Sequence, residues 1–244
     1  VSSLGRLVPR AARSWLRSHG GPLGSIVAVR TTAPEFVLTY DDGPEPGDTE
    51  SILSVLQDRG ARATFFVLLT RTRKNPELLR EVMAAGHEIA LHGVDHRPIS
   101  RMSYREVLSR TSDAKAELED DIGRPVHWFR PPYGLQSLSS FRGVRAAGLE
   151  PVLWGPTALD SRPATTEERM QRVLRGAGRG AIVLSHDGYA DVADGGRGGN
   201  HPGHDRGALA TRVLDAYAEL GLRANTVSGA IASGSATRGI WFRR

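Results

Sequence analysis

Two carboxylates stand side by side in this 244-residue chain, Asp41 and Asp42, within the run Thr39-Tyr40-Asp41-Asp42-Gly43-Pro44. Adjacent carboxylates at the end of an apolar segment repel each other unless a cation or an arginine compensates them. Asp, Gly and Pro are also turn formers, so this run alone fits a solvated turn as well as a site. Further on, His92-Gly93-Val94-Asp95-His96 places two histidines four residues apart. Joined by a carboxylate, they match a His₂-carboxylate centre for zinc or another first-row ion with open positions. Arg130-Pro131-Pro132-Tyr133-Gly134 reads as a rigid turn, and His186 in Leu184-Ser185-His186-Asp187-Gly188 is a weak signal by itself. The chain contains no cysteine, which excludes disulfides, thiolate metal sites and a cysteine nucleophile.

What would bring these groups together is the pattern of elements between them. Residues 35–41 are β-branched and aromatic and end in a polar turn, so they read as a buried strand. Residues 46–60 carry Ile52, Leu53, Val55 and Leu56 at helical spacing, with Gly60 as the stop. Strands at 63–69 and 88–92 flank a helix at 75–86, with Asn75 as N-cap and Pro76 in its first turn. Ser103, with Glu106 three residues on, opens an amphipathic helix to Gly123. Strands at 127–130, 151–154, 181–185 and 223–227 then alternate with helices at 137–148, 165–178 and 206–221. About seven βα pairs imply parallel strands and right-handed crossovers, in a doubly wound sheet or a barrel. No Gly-x-Gly-x-x-Gly follows the first strand, which argues against a dinucleotide fold.

On this pattern Asp41, Asp42, His92, Arg130, Trp154 (with Asp160 in the loop beyond) and His186 all fall at carboxyl ends of strands. In a parallel barrel that is one rim, the one on which active sites sit. The stretch 187–206, rich in Gly, Asp and His, has no apolar periodicity and reads as a long loop.

Hydrophobic residues make up 39% and charged residues 24%, which places the chain among ordinary globular proteins rather than disordered ones. One domain accommodates this length. The formal charge is +5, but the arginines are scattered except for Arg6, Arg10, Arg13 and Arg17 near the start and Arg238, Arg243 and Arg244 near the finish. No basic stripe interleaves with aromatics, so nucleic acid is not an expected partner. No apolar run reaches the ~18 residues of a membrane span. Residues 1–30 lack the continuous apolar core of a signal peptide, while the chain opens at Val1 and not Met. The compartment therefore stays open between secreted or cell-envelope, if a signal has been removed, and cytoplasmic. A monomer is expected.

Taken in order, Thr39–Pro44, His92-x-x-x-His96, Arg130–Gly134, Asp160 after Trp154, and Leu184–Gly188 resemble the motifs of polysaccharide deacetylases with a NodB-type domain, carbohydrate esterase family 4. The resemblance spans about residues 35–230, leaving 1–34 as an N-terminal extension and 231–244 as a C-terminal tail. It implies a distorted (β/α)₇ barrel, TIM-like in outline. It also implies one divalent ion on Asp42, His92 and His96, with Zn²⁺ the first expectation and Co²⁺, Ni²⁺ or Mn²⁺ compatible. Asp41 would be the general base, and Arg130 would hold it in place and keep it charged. His186 would be the general acid, oriented by Asp160, which raises its pKa. The Tyr133 backbone amide would help stabilise the oxyanion. Trp154, Leu184 and Pro132 would line the pocket for the acetyl group or its sugar.

The implied activity is metal-dependent removal of N-acetyl groups from a GlcNAc-containing glycan, such as chitin oligomers or peptidoglycan, with release of acetate. Two alternatives accompany it: a deacetylase or deformylase of a small or lipid-linked amino sugar, and a non-catalytic glycan-binding protein of the same fold. The chain departs from the family pattern at Gly93, where Ser or Thr is usual, and at Ser161, where Trp is usual. The first departure removes a hydrogen bond that steadies the histidine loop or leaves it to water, and the second thins the apolar wall of the pocket or leaves it to be built from elsewhere.

Overall fold

Apolar strands joined by amphipathic helices pair in parallel, because each helix must return the chain to the same edge before the next strand begins. In the computed structural model, which describes residues 24–198 and 203–242, seven strands form one curled parallel sheet. They are β2 (Glu35–Asp41), β3 (Thr64–Leu68), β4 (Glu88–Gly93), β5 (Trp128–Phe129), β6 (Glu150–Pro151), β7 (Ile182–His186) and β8 (Arg223–Asn225). The order is β6-β5-β4-β3-β2-β7, with β8 beside the first half of β2. Around them lie α1 (Asp48–Asp58), α2 (Leu69–Thr72), α3 (Pro76–Ala84), α4 (Tyr104–Ile122), α5 (Leu138–Ala146), α6 (Thr166–Leu174), α7 (Arg206–Glu219) and α8 (Val227–Ser233). The expected (β/α)₇ barrel is present in this distorted form. No helix among the described residues is long and apolar enough to cross a membrane.

The distortion is a seam between β6 and β7, which do not pair. A strand absent from the sequence reading, β1 (Ser25–Arg30), lies in it. Ile26 bridges to Val152 on one side and Ala28 to Ala181 on the other. The Leu153 N–H donates to the Ile26 carbonyl at 2.7 Å, and the Val29 N–H to that of Gly180 at 2.8 Å. Strand β1 also pairs antiparallel with β9 (Ser235–Gly239). The flanks expected to be an extension and a tail thus each supply a strand to the fold. Arg6, Arg10, Arg13, Arg17, Arg243 and Arg244 lie outside the described residues.

Period-2 alternation sorts each strand's side chains into two layers. Phe36, Leu38, Tyr40, Phe65, Val67, Ile89, Leu91 and Val183 pack outward with the helices in the larger core cluster. Val37, Phe66, Ala90 and Ile182 face the barrel interior, with Ile26 and Val29 of β1 and Val227 and Ala230 of α8. Phe66 is fully buried, so truncation to Ala costs about 3–5 kcal/mol.

Helix starts follow the expected capping chemistry at Ser103, whose hydroxyl accepts the Glu106 N–H at 3.2 Å. Asp205 does the same for Ala208 at 2.8 Å. Asn75 differs from its expected N-cap role. Its side chain makes no cap and instead donates to the Pro44 carbonyl at 3.2 Å, tying α3 to the loop after Asp42.

Candidate active site

Alternation explains why the reactive residues meet. Val37, Thr39 and Asp41 share one face of β2, as do Ala90 and His92 on β4 and Ile182, Leu184 and His186 on β7. Asp41, His92 and His186 are the last inward positions of their strands, and Arg130 holds the same phase just after β5. Asp42 would point the other way if β2 continued. Its backbone turns left-handed instead, at φ 75°, a region that Asp tolerates better than most residues. That turn brings both carboxylates to one cavity.

The cavity holds about 360 Å³ and exposes Asp41, Asp42, His92, His96, Tyr133 and His186 on its wall. Ligand atoms of Asp42, His92 and His96 all lie within 4.8 Å of one another. His92 Nε2 is 3.4 Å and His96 Nε2 3.3 Å from Asp42 Oδ1. That oxygen is buried and accepts no hydrogen bond from the protein. An orphaned carboxylate oxygen facing two imidazole nitrogens suits a cation. His92 Nδ1 sits 2.8 Å from the Arg130 carbonyl, to which an N–H there donates, leaving Nε2 as the lone-pair atom. Burial pushes His96 down to about 4, against the opposing pull of Asp42, so it is neutral and able to ligate at neutral pH. Burial works against the Asp42 anion, but His96, His92 and His186 more than offset it and hold the carboxyl below its usual range.

Asp41 is steered by Arg130, whose Nη1 donates to Asp41 Oδ1 at 2.7 Å and to Thr39 Oγ1 at 2.7 Å. The rest of the guanidinium meets the Val152 and Leu153 carbonyls at 3.3 and 3.2 Å and lies 4.0 Å over the Phe66 ring. Arg130 is wholly buried, so the pair holds by geometry and by these added hydrogen bonds. Asp41 Oδ2 stays on the cavity side, 3.9 Å from His92 Nε2.

On the neighbouring strand β7, where His186 is the register partner of Asp41, Asp160 takes both the backbone N–H and Nδ1 of His186, each at 2.7 Å. Burial would lower the His186 pKa, but Asp160 overcomes it and raises the imidazole to about 9. Nδ1 is committed, so Nε2–H is the proton facing the cavity. Arg206 braces this pair. Its Nη1 donates to the His186 carbonyl at 2.7 Å and its Nη2 to that of Gly188 at 2.9 Å, and the Nη1 lies 3.7 Å from Asp160. Sequence patterns gave no sign of Arg206, which sits at the start of α7 far from any motif.

Residues 28–152 match the profile of the polysaccharide deacetylase family. A peptidoglycan-N-acetylglucosamine deacetylase of Bacillus cereus is 33% identical over 216 residues, which cover 87% of this chain and 96% of that protein. This chain belongs to the polysaccharide deacetylase family. A chitooligosaccharide deacetylase of Azorhizobium caulinodans is 32% identical across 68% of this chain and 80% of its own length. A family 4 carbohydrate esterase from Streptomyces lividans, solved with acetate, is 27% identical. It superposes with a TM-score of 0.70 over 88% of this chain and all of that one. The protein is thus a hydrolase of carbon–nitrogen bonds other than peptide bonds.

Two expected substrate contacts of this deacetylase, Trp154 and Leu184, line the cavity. Pro132 is not among the residues that line it: it is buried in the turn and packs toward Gly93. Tyr133 is left-handed at φ 60°, and the turn's hydrogen bonds are made by the Gly134 and Leu135 N–H groups, not by its own. Trp154 lies so close to Gly134 that an added Cβ would sit 2.6 Å from the indole. Ser161 lines the cavity, and Tyr189 and Ala190 of the following loop fill out its wall.

Gly93 is explained by its backbone. At φ 128° it adopts a conformation that L side chains rarely take, and a Cβ would meet the Asp95 carbonyl at 3.0 Å. The histidine loop of the deacetylase is steadied from outside: the His96 N–H donates to the Asp194 carbonyl at 2.7 Å. Asp194, fully buried, is gripped by Arg71 at 2.6 Å, and Arg71 also donates to the Tyr189 carbonyl at 2.8 Å. Asp187 is a further support. Its carboxyl accepts from Thr49 Oγ1 at 2.8 Å and from the Gly43 N–H at 3.2 Å, which fixes the turn after Asp42. Burial pushes that carboxyl up to about 7.

Proposed function

We propose that this deacetylase removes N-acetyl groups from a GlcNAc-containing glycan, of peptidoglycan or chitin-oligomer type, with one Zn²⁺ on Asp42, His92 and His96. The observation that carries this reading is the placement of two differently prepared proton carriers, Asp41 and His186, on the wall of the same cavity as that ligand triad. A zinc ion there would supply Lewis-acid polarisation of the acetyl carbonyl and lower the pKa of a nearby water. Asp41 Oδ2, left free by the Arg130 pair, takes the proton of the attacking water. The Tyr133 N–H donates to the carbonyl oxygen as negative charge builds on it. His186 Nε2–H passes its proton to the departing amine, and Asp160 stabilises the imidazolium until then. Without that proton the leaving group would be an amide anion, far too basic to depart at neutral pH.

The test is acetate release from chitin oligomers, purified peptidoglycan and monomeric N-acetylated sugars by zinc-loaded and chelator-treated protein. Zinc-dependent release from the polymers supports the reading. Release from monomers alone would transfer the activity to small amino sugars. Release from none of them would remove the enzyme assignment.

A further inference from the structure

The loop after His186, which has no pattern in sequence, carries one cation into the cavity. Arg197 lines the same cavity as Asp41, Asp42 and His186, with its guanidinium carbon 4.7 Å above the Tyr133 ring. The other side of Tyr133 packs on His96, with ring centroids 4.2 Å apart. Arg197 therefore sits two ring contacts from the ligand triad.

Its position is built. Asp194 anchors the loop beneath it on Arg71 and Lys74, at 2.6 and 3.6 Å. Asp191 folds the loop by accepting from the Ala193 N–H at 2.7 Å, and its carbonyl accepts from Gly196, also at 2.7 Å. Asp191 and Asp194 are thereby engaged away from Arg197, and no carboxylate among the described residues pairs with it. The hydrolysis itself has no use for this charge: the acetamide is neutral, the oxyanion is met by the ion and a backbone N–H, and Asp41 has Arg130. A guanidinium with an aromatic ring beneath it and no carboxylate partner among the described residues suits a planar anion.

We propose that Arg197 forms a subsite for a carboxylate on the glycan, at the reacting sugar or the one beside it, as borne by the lactyl ether of muramic acid in peptidoglycan. This rests on the deacetylase reading and narrows its substrate class. In muramic acid the ether oxygen is on the carbon next to the acetamido-bearing carbon, so such a carboxylate lies a few bonds from the scissile amide. In an alternating glycan the neighbouring sugar offers the same group.

The experiment compares kcat/KM on three tetrasaccharides: neutral chitotetraose, a peptidoglycan-derived tetrasaccharide with free lactyl carboxylates, and the same tetrasaccharide methyl-esterified. Each is tested with zinc-loaded wild type, Arg197→Gln and Arg197→Lys, and mass spectrometry locates the sugar that loses acetate. The wild type should prefer the free carboxylate over its ester about tenfold, in line with one charge-assisted hydrogen-bonded pair. Arg197→Gln should shrink that ratio to within twofold, and Arg197→Lys should keep part of it. A wild-type ratio near one, or a ratio unchanged in Arg197→Gln, overturns the subsite while leaving the deacetylase reading intact. Equal losses on all three substrates would give Arg197 a role at the oxyanion instead and also overturn it. No acetate from any substrate with wild type overturns the deacetylase reading, and this proposal with it.

Discussion

His96 and Asp194 are joined backbone to backbone, N–H to carbonyl, at 2.7 Å, so a residue of the ligand triad is held by a loop about a hundred residues further along the chain. The Asp194 side chain fastens that loop to Arg71. Asp194→Ala leaves Arg71 with one fewer partner and frees the carbonyl that holds His96. Zinc affinity should drop about 10- to 100-fold, the usual cost of losing support behind a ligand. Competition against a chromophoric chelator measures it. An unchanged Kd would show that β4 alone places His96.

Asp41→Asn keeps the shape of the side chain but removes its ability to accept a proton. Turnover should fall by at least about 100-fold, the scale of a lost general base. Zinc binding, read by the same chelator assay, should persist, because Asp42 carries the ligand oxygen. Stability should drop by about 1–3 kcal/mol in urea unfolding, since buried Arg130 keeps a hydrogen bond but loses its counter-charge.

The pH dependence follows from His186. Its pKa is raised to about 9, so the proton-donating form is populated below that value and lost above it. The alkaline limb of kcat/KM should therefore report this group, at a lower pH once a divalent charge is bound nearby. Asp160→Asn removes the charge that raises the pKa and should move the limb to lower pH by at least about one unit. The sign for folding is the same: a raised histidine pKa stabilises below the unfolded value near ~6.5, and that contribution disappears as pH climbs through about 9. A limb that stays put in Asp160→Asn would assign it to another group.

Gly93→Ser restores the residue usual in the family but forces a side chain onto φ 128°. Urea unfolding should show a loss of about 1–3 kcal/mol, the scale of such backbone strain. A variant as stable as wild type would mean that the loop relaxes and that Asp194 is not its main support.

Much of this site was legible in sequence because its parts sit at strand ends, where an apolar run stops and a reactive residue begins. Asp41, His92 and His186 needed only the strands before them, and Arg130 and Asp160 were found through the motifs around them. Arg206, Asp187 and Asp194 were not legible in that way. Each acts through partners outside its own segment, as when Asp194 meets Arg71 across 123 residues of chain. Such pairing leaves no periodicity. The same is true of β1: Ile26 and Val29 form too short an apolar patch to announce a strand, and the partner that completes it lies near residue 238. Pro132 differs for the opposite reason, since it belongs to a motif whose cavity-lining member is its neighbour Tyr133.

The seam between β6 and β7 has a consequence for the order in which the molecule can be assembled. The strand that fills it is among the first described residues, and the strand clasping it is among the last. Arg238 reaches back over 214 positions to the Gly24 carbonyl. Contacts of such separation come late, because the intervening chain must be ordered before they repay the loop they close. During synthesis the ring has to wait unfastened until residues 235–239 have left the ribosome. Until then β1 lacks its antiparallel partner, so a ribosome stalled shortly before that point would hold out a seam strand with one open edge.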